Sequence, residues 1–385
     1  MSWNNEKLAD IAEFSNGINF DKNAYGAGIK FIGVSNFGDR FTPDYSSLQE
    51  VKYEVVREDD YLQDGDIVFV RSNGNKELVG RCMLIQNAPF PVTYSGFCIK
   101  ARIKDQLKYD PVFFTYHFKS SMFRRAMSGT AVGANIQNLS QGRMASYMAE
   151  IPDYKTQKRI ADILRAYDDL IINNQKQIKL LEEAAQRLYK EWFVDLHFPG
   201  YEDTKIVDGL PEGWERISVG DILGKVHRTE QIMASDYQKK GKIPIIDQSR
   251  NFIAGYTDND NAIIDLGHPA IVFGDHTRVL KLIQFPFAKG ADGTQLIVSS
   301  YKKMPERLFY CSLVNVDLSN YHYARHFKYL KAEKMVVPTE KTANEAEAYL
   351  EPLFKKVQKC RDIINAAVQL RNCLLPRLMS GEIEV

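Results

Sequence analysis

The sequence is short of the features that usually announce a chemistry. Its 385 residues hold five cysteines, Cys82, Cys98, Cys311, Cys360 and Cys373, an odd and scattered set with no C-x-x-C pair and no histidine at ligand spacing. That pattern argues against a disulfide framework or a zinc site and fits reduced, buried thiols in a cytoplasmic protein. No run of about 18 apolar residues occurs, so no membrane span is expected. The first ten residues lack the basic-then-apolar signature of a signal peptide. Neither sign of charge is in excess: the formal net charge is +1. This argues against a histone-like, charge-driven binder but leaves room for a locally basic groove. A chain with 44% hydrophobic and 26% charged residues has a real core, and its length suits two or three domains.

Catalytic constellations are also missing. There is no Walker loop, no G-x-S-x-G and no G-x-G-x-x-G. Asn87-Ala88-Pro89-Phe90 comes close to the N-P-P-F/Y tetrapeptide of amino-methyltransferases but lacks the first proline, and no Gly-rich loop follows a strand to hold a methyl donor; a loop turn is the better reading. Asp110-Pro111 and Pro152-Asp153 have the flavour of nuclease acids, yet no E-x-K follows on a strand. His322 and His326 form an H-x-x-x-H pair without an evident third ligand. The expectation is a protein with no metal, no cofactor and no active site of its own.

What is present is a long helix. Residues 153–195 contain no glycine or proline and are rich in Lys, Gln, Leu, Ala and Glu, which favour helix. Leu164, Ile171, Ile178, Ala185 and Trp192 recur every seven positions, and Tyr167, Asn174, Leu181 and Leu188 form a second series three residues on. This is a coiled-coil heptad, and at roughly 1.5 Å per residue the helix is about 60 Å long. A partner lies in the same chain at 345–380, where Leu350, Val357, Ile364 and Leu378 repeat the step and Leu353, Ala367 and Leu374 fill the second series. A constant shift of 186 residues puts Leu164 on Leu350, Ile171 on Val357, Ile178 on Ile364, Leu188 on Leu374 and Pro152 on Pro338, as expected of an internal repeat. The predicted seam is Leu164, Ile171, Ile178, Leu188, Leu350, Val357, Ile364 and Leu374.

The remainder reads as two mixed domains. In the first, β-rich runs at 30–34, 66–71, 81–85 and 97–103 are bounded by Gly, Asn and Asp, and 110–127 reads as one helix in which Phe113, Phe114, Tyr116 and Phe118 lead into Lys119, Arg124 and Arg125. A Gly/Ala/Asn/Gln-rich loop follows. After Trp192 a turn-rich linker opens a second domain near Leu210, whose start resembles that of the chain: a shift of 211 puts Trp3 on Trp214, Leu8 on Val219, Asp10 on Asp221 and Ile11 on Ile222. Further in, Ile67-Val68-Phe69 parallels Ile271-Val272-Phe273 at a shift of 204. The order is domain–helix–domain–helix, divided at 1–152, 153–200, 201–338 and 339–385. Two such units can pack about a pseudo-twofold axis with their helices antiparallel and a domain at each end. The fold class expected is α+β: two α/β domains separated by two long antiparallel coiled-coil helices.

Polar loops with interleaved Arg, Asn, Gln and aromatic residues carry the candidate binding groups. In the first domain these are Arg71, Asn73 and Lys76, then Arg124 and Arg125, then Asn135, Gln137, Gln141 and Arg143. In the second they are His276, Thr277 and Arg278, then Thr294 and Gln295, then Tyr323, Arg325, His326, Lys328 and Lys331. Arg can fork onto guanine and Asn or Gln onto adenine in the major groove, while Lys and Arg beside tyrosines suit phosphate and stacking contacts. Composition alone leaves solvated loops as the alternative.

The whole chain resembles the specificity subunit of type I restriction–modification enzymes. The resemblance rests on Ile151-Pro152-Asp153-Tyr154-Lys155-Thr156-Gln157-Lys158-Arg159-Ile160-Ala161 ahead of the heptad helix, on Leu210-Pro211-Glu212-Gly213-Trp214 at the second domain, and on Leu374-Leu375-Pro376-Arg377-Leu378-Met379-Ser380-Gly381-Glu382-Ile383 at the end. It departs at the second helix entrance, where Pro338-Thr339-Glu340-Lys341-Thr342-Ala343-Asn344 lacks Q-x-x-I-A, which implies an altered contact surface there. The resemblance implies two target-recognition domains, each reading half of a split, asymmetric site in double-stranded DNA, with the helices as a ruler. It also implies docking of two adenine-methyltransferase subunits on the helices and a motor-nuclease subunit for restriction, with no catalysis in this chain. A protein-binding adaptor with a coiled-coil spacer, and a single-chain DNA methylase or nuclease, are the competing readings.

Overall fold

The computed structural model describes residues 3–38, 40–72, 78–128, 138–321 and 325–385. The chain divides into two compact units, one made of residues 1–173 and 363–385, the other of 174–362. The first unit is therefore discontinuous: each long helix gives one half to each unit.

The first unit opens with β1 (Asn4–Lys7), α1 (Leu8–Ile11) and β2 (Ala12–Asn16), followed by β3 (Tyr25–Ile32), β4 (Gln49–Val51), β5 (Ile67–Val70), β6 (Cys82–Leu84), β7 (Val92–Tyr94) and β8 (Cys98–Ile103). Helices α2 (Pro111–Lys119), α3 (Ser121–Ser128) and α4 (Gln141–Ser146), strand β9 (Met148–Ile151) and the long α5 (Tyr154–Tyr189) complete the run. One sheet has the order β2-β8-β5-β6, a second β4-β3-β7 with β3 and β7 parallel, and β1 pairs with β9. β5, Ile-Val-Phe-Val, is buried on both faces, so it reads as a continuous apolar run rather than an alternating one. Where one helix was expected over 110–127, Ser120 breaks it: its backbone is extended, its amide donates to the His117 carbonyl, and its Oγ accepts from the Phe123 amide at 3.3 Å. The serine ends α2 and starts α3.

The second unit begins with a small hairpin, β10 (Ile206–Val207) and β11 (Leu210–Pro211), then β12 (Glu215–Ser218), α6 (Val219–Ile222), β13 (Ile243–Ile246), β14 (Gly255–Thr257), β15 (Ile263–Ile264), β16 (Ala270–Gly274), β17 (Leu280–Ile283), β18 (Phe287–Lys289) and β19 (Thr294–Ile297). α7 (Glu306–Val314), α8 (Phe327–Ala332), β20 (Lys334–Val337) and α9 (Glu340–Met379) follow. Its sheets, β17-β16-β19 and β14-β13-β18-β15, keep the plan of the first unit, including a parallel pair, β13 with β18.

The repeat extends to residue register. β1 pairs Asn4 with Ile151 and Lys7 with Met148; β12 pairs Glu215 with Val337 and Ser218 with Lys334. These pairs correspond under the 211 and 186 shifts read from the sequence. The Leu8 amide donates to the Tyr147 carbonyl, and its equivalent, Val219, to Glu333. Ile67-Val68-Phe69 and Ile271-Val272-Phe273 occupy equivalent central strands, β5 and β16.

The helices run antiparallel within each unit. In the first, Leu164 and Leu378 share a core, and Arg371 donates to Asp168. In the second, Arg361 donates to Glu182 at 2.8 Å and Trp192 stacks edge-on with Tyr349. Leu164, Ile171, Leu350 and Val357 are buried, while Ile178, Leu188, Ile364 and Leu374 are half-buried. Polar groups interrupt the stripe: Asp168, not its neighbour Tyr167, turns inward, and Asn174 is buried. The Q-x-x-I-A entrance is core rather than surface. Ile160 and Ala161 are buried, and Gln157 accepts from the Asp110 amide at 2.9 Å while donating to the Lys108 and Pro152 carbonyls. At the second entrance Ala343 and Ala346 are fully buried, and Glu347 pairs with Arg307 at 2.8 Å. The missing motif thus coincides with a different internal brace.

Candidate nucleic-acid interface

In each unit some of the candidate residues meet where the central strand ends. In the first unit Arg71 follows β5. Its amide donates to the Phe97 carbonyl at 2.8 Å, its carbonyl accepts from the Leu139 amide at 2.8 Å, and its guanidinium reaches the Gly96 carbonyl at 3.5 Å. Ser72 bridges to Asn138. Ser140 then caps α4, its Oγ accepting from the Arg143 amide at 3.2 Å. Gln141 is half-buried and Arg143 exposed on that short helix. The β5–β6 connection, the β7–β8 turn and the start of α4 therefore meet at one backbone node.

The second unit builds the same node with other side chains. The Asp275 amide donates to the Gly293 carbonyl at 2.6 Å, and its carbonyl accepts from the His326 amide at 2.9 Å. The Asp275 carboxylate accepts from the Phe327 amide at 2.8 Å and so caps α8. Gln248 ties the neighbouring loops: its carbonyl accepts from Thr277 Oγ1 at 2.6 Å, its Oε1 from the His276 amide at 3.2 Å, and its Nε2 donates to Asp292. Gly293 has φ +64°, and a Cβ there would lie 2.6–2.8 Å from His276 and Gln248, so the close approach requires glycine. Arg278, at φ 60°, donates from Nε to His326 Nε2 at 3.2 Å and from Nη2 to the Tyr321 carbonyl at 2.8 Å. His326 must accept at Nε2 and carry its proton on Nδ1; burial, then the Arg278 guanidinium, hold its pKa below the ordinary value.

The candidates divide by what they present. His276, Thr277, Arg325, Lys328 and Lys331 are exposed, with Lys331 lying over the Phe327 ring at 5.3 Å. Thr294 and His326 are buried and position the loops instead of facing outward. Arg325 has φ 66°, and His326 immediately precedes α8. Arg124 lines a cavity of about 200 Å³ with Arg81, Lys119 and Arg371, and Arg125, exposed, donates to the Ser121 carbonyl. Asn73, Lys76, Asn135, Gln137, Tyr323 and His322 lie outside the described residues. Gln248, and Asp275 as a cap, are not legible in the sequence. Their signal is the cluster of glycines, Gly274, Gly290 and Gly293, that lets the loops close on them.

Among the described residues no group of three or more potential ligands could hold a metal, and no helix is long and apolar enough to cross a membrane. Cys82, Cys98, Cys311 and Cys360 are free and buried, and Cys373 is free and exposed.

Both strand-rich units gather divergent polar loops on a shared backbone node. Comparison with known proteins shows what the chain is similar to. A family model described as the type I restriction modification DNA specificity domain matches residues 1–183. The chain is similar to the type I restriction enzyme MjaIX specificity subunit of Methanocaldococcus jannaschii, 24% identical over 297 residues that span 70% of this chain and 68% of that one. It is 33% identical to the EcoKI specificity subunit of Escherichia coli over 122 residues, 31% of this chain and 25% of the relative. The match to the putative MjaX specificity subunit spans 60% of that relative's length. A crystal structure of the S subunit from M. genitalium shares the fold, with a TM-score of 0.60, 15% identity and coverage of 98% of this chain and 96% of that one. The chain is thus similar to the DNA-specificity subunits of type I restriction–modification enzymes, the family model matching its first 183 residues.

Proposed function

We propose that the two units read the two halves of a bipartite, asymmetric site in double-stranded DNA, and that the long helices set the unread spacer. What supports the reading is the shared node: one backbone arrangement carries Arg71 in the first unit and Asp275 in the second. A constant scaffold with divergent side chains is what two different half-sites require. Arg71, Gln141 and Arg143 serve the first half, and His276, Arg278, Arg325, Lys328 and Lys331 the second. The helices hold two methyltransferase subunits, with restriction and translocase subunits added to that core, in the cytoplasm. Because these partners supply much of the phosphate contact, a near-neutral chain suffices.

The test is methylation mapping and binding with the reconstituted complex. Arg71→Ala or Arg143→Ala relaxes discrimination in one half-site, and His276→Ala or Arg325→Ala in the other, each by roughly 1–3 kcal/mol per base contact. Equal affinity for cognate and scrambled duplexes would remove the reading and favour a protein-binding adaptor.

A further inference from the structure

The second unit contains a cavity of about 390 Å³ between the 224–231 segment and strands β18 and β19. His227, Arg228, Thr229, Gln231, Lys289 and Gln295 line it, and no carboxylate does. Lys289 is half-buried at the end of β18. Burial first, and the Arg228 guanidinium second, push its pKa down. Among the described residues neither cation has an ion-pair partner, and the Lys289 ammonium has no hydrogen-bond acceptor. The fold treats its other inward-facing lysines differently: Lys281 donates to the Asp247 carbonyl at 2.8 Å and lies 3.8 Å from that residue's carboxylate, and Lys100 donates to the Asp59 carbonyl at 3.0 Å. A half-buried ammonium beside a like charge, with no acceptor, is costly unless an anion completes the site.

The repeat sharpens the point. In the parallel pair of the first unit Ile32 stands opposite Tyr94; in the second, Ile246 stands opposite Lys289. Tyr94 is fully buried and its hydroxyl pairs with Ser15 at 2.8 Å. The place closed by a ring in one unit is opened and charged in the other. At roughly 30 Å³ per water the cavity has room for a phosphate group and its hydration.

We propose that this pocket binds a phosphoryl oxyanion through Lys289 and Arg228, with Thr229, Gln231 and Gln295 as neutral donors. The oxyanion is either a backbone phosphodiester of bound DNA or a free phosphate; the first source rests on the recognition reading above. The experiment uses the full chain with its methyltransferase subunits and compares wild type with Arg228→Gln, an exposed position that leaves the core intact, Lys289→Met, which keeps the side-chain stem, and Lys289→Arg. The slope of log K against log salt is measured for cognate and scrambled duplexes, and inorganic phosphate and pyrophosphate are titrated into the DNA-free protein. For a DNA phosphate, Arg228→Gln and Lys289→Met each weaken all duplexes alike and lower the slope by about 1, while Lys289→Arg restores it. For a free phosphate, saturable binding of inorganic phosphate or pyrophosphate is lost in the first two variants and kept in the third, with the slope unchanged. The proposal is overturned if neither slope nor phosphate binding responds, or if the variants alter discrimination at a single base pair instead. Failure of wild type to distinguish cognate from scrambled DNA would sink the recognition reading, while the phosphate titration still decides the pocket.

Discussion

The two units share strand order and register but support their helices by different means. In the first, α2 starts at Asp110, whose carboxylate accepts from the Phe113 amide three residues on, and α4 starts at Ser140, which accepts from Arg143. In the second, α7 starts at Pro305, and its Leu308 amide is met by Glu347 of α9; α8 starts at His326, and its Phe327 amide is met by Asp275. At these two pairs of helices local caps serve one copy and long-range carboxylates the other. A helix end needs its free amides satisfied from somewhere, and a duplicated fold can drift between the two solutions while its backbone stays fixed.

The difference is largest where the long helices meet. In the first unit Asp168, 5% exposed, accepts from Arg371 and from the Tyr116 hydroxyl at 2.5 Å. The 186-residue shift places Phe354 at the position of Asp168, and Ala185 at that of Arg371; both are buried in the second unit, where Phe354 packs edge-on against Tyr310. Arg371→Leu strands a buried carboxylate and is expected to destabilise the protein by about 3–5 kcal/mol. The double variant Asp168→Leu/Arg371→Leu, which copies the apolar solution of the other unit, should recover most of that loss. Denaturant unfolding of the four proteins measures it. A double variant no more stable than the single would mean that the ion pair is structurally required and that the units are not interchangeable at this layer.

A second contrast is titratable. His117 in α2 is fully buried among Phe113, Phe114, Phe118, Phe123 and Tyr147, and neither ring nitrogen has a partner. Burial lowers its pKa to about 4. The corresponding place in α7 holds Ser312, whose hydroxyl donates to the Leu308 carbonyl at 3.0 Å. Because the folded state keeps the imidazole neutral, this contribution to stability is complete above the unfolded value near 6.5 and is lost as pH falls toward 4, where it amounts to roughly 3 kcal/mol. His117→Phe should remove about one proton from the pH dependence of unfolding between 6.5 and 4. An unchanged slope would show that another group carries the acid sensitivity.

The repeat, the long helices and the equivalence of Ile67–Phe69 with Ile271–Phe273 were legible because periodicity and apolar runs are local signals. Asp110-Pro111 and Ser140 are legible as caps for the same reason, although the sequence reading took the first as a possible acid and the second as part of a polar loop. Pro305 and His326 carry no such signal; their helices are completed from 52 residues away or less by side chains that only the fold brings near. The resemblance treats the Gln157 motif as part of a contact surface, yet three backbone groups need its amide in the interior. The loops were found by composition, but composition does not separate exposed Arg143 from buried His326, nor show that Gln248 and Asp275 hold the loop that bears His276. Those facts depend on contacts between segments far apart in sequence.

The smallest expected effect tests whether the two kinds of cap matter to recognition. Ser140 is exposed, its bond to the Arg143 amide is 3.2 Å, and Ser140→Ala should cost about 0.5–1 kcal/mol, confined to α4. Asp275 is 5% exposed, its bond to Phe327 is 2.8 Å, and its charge acts on His326 in the opposite sense to that of Arg278. Asp275→Ala should therefore cost about 2 kcal/mol and loosen α8 together with the 275–278 loop. Asp275→Asn, which keeps an acceptor oxygen for the Phe327 amide, should recover the cap but leave the Arg278 charge at His326 unopposed. Affinity for duplexes altered in one half-site at a time separates the cases: Ser140→Ala touches one half slightly, and Asp275→Ala the other half more strongly. Equal losses in both halves would mean that the caps support the whole subunit rather than one reading surface, and the assignment of α4 and α8 to separate half-sites would fall with it.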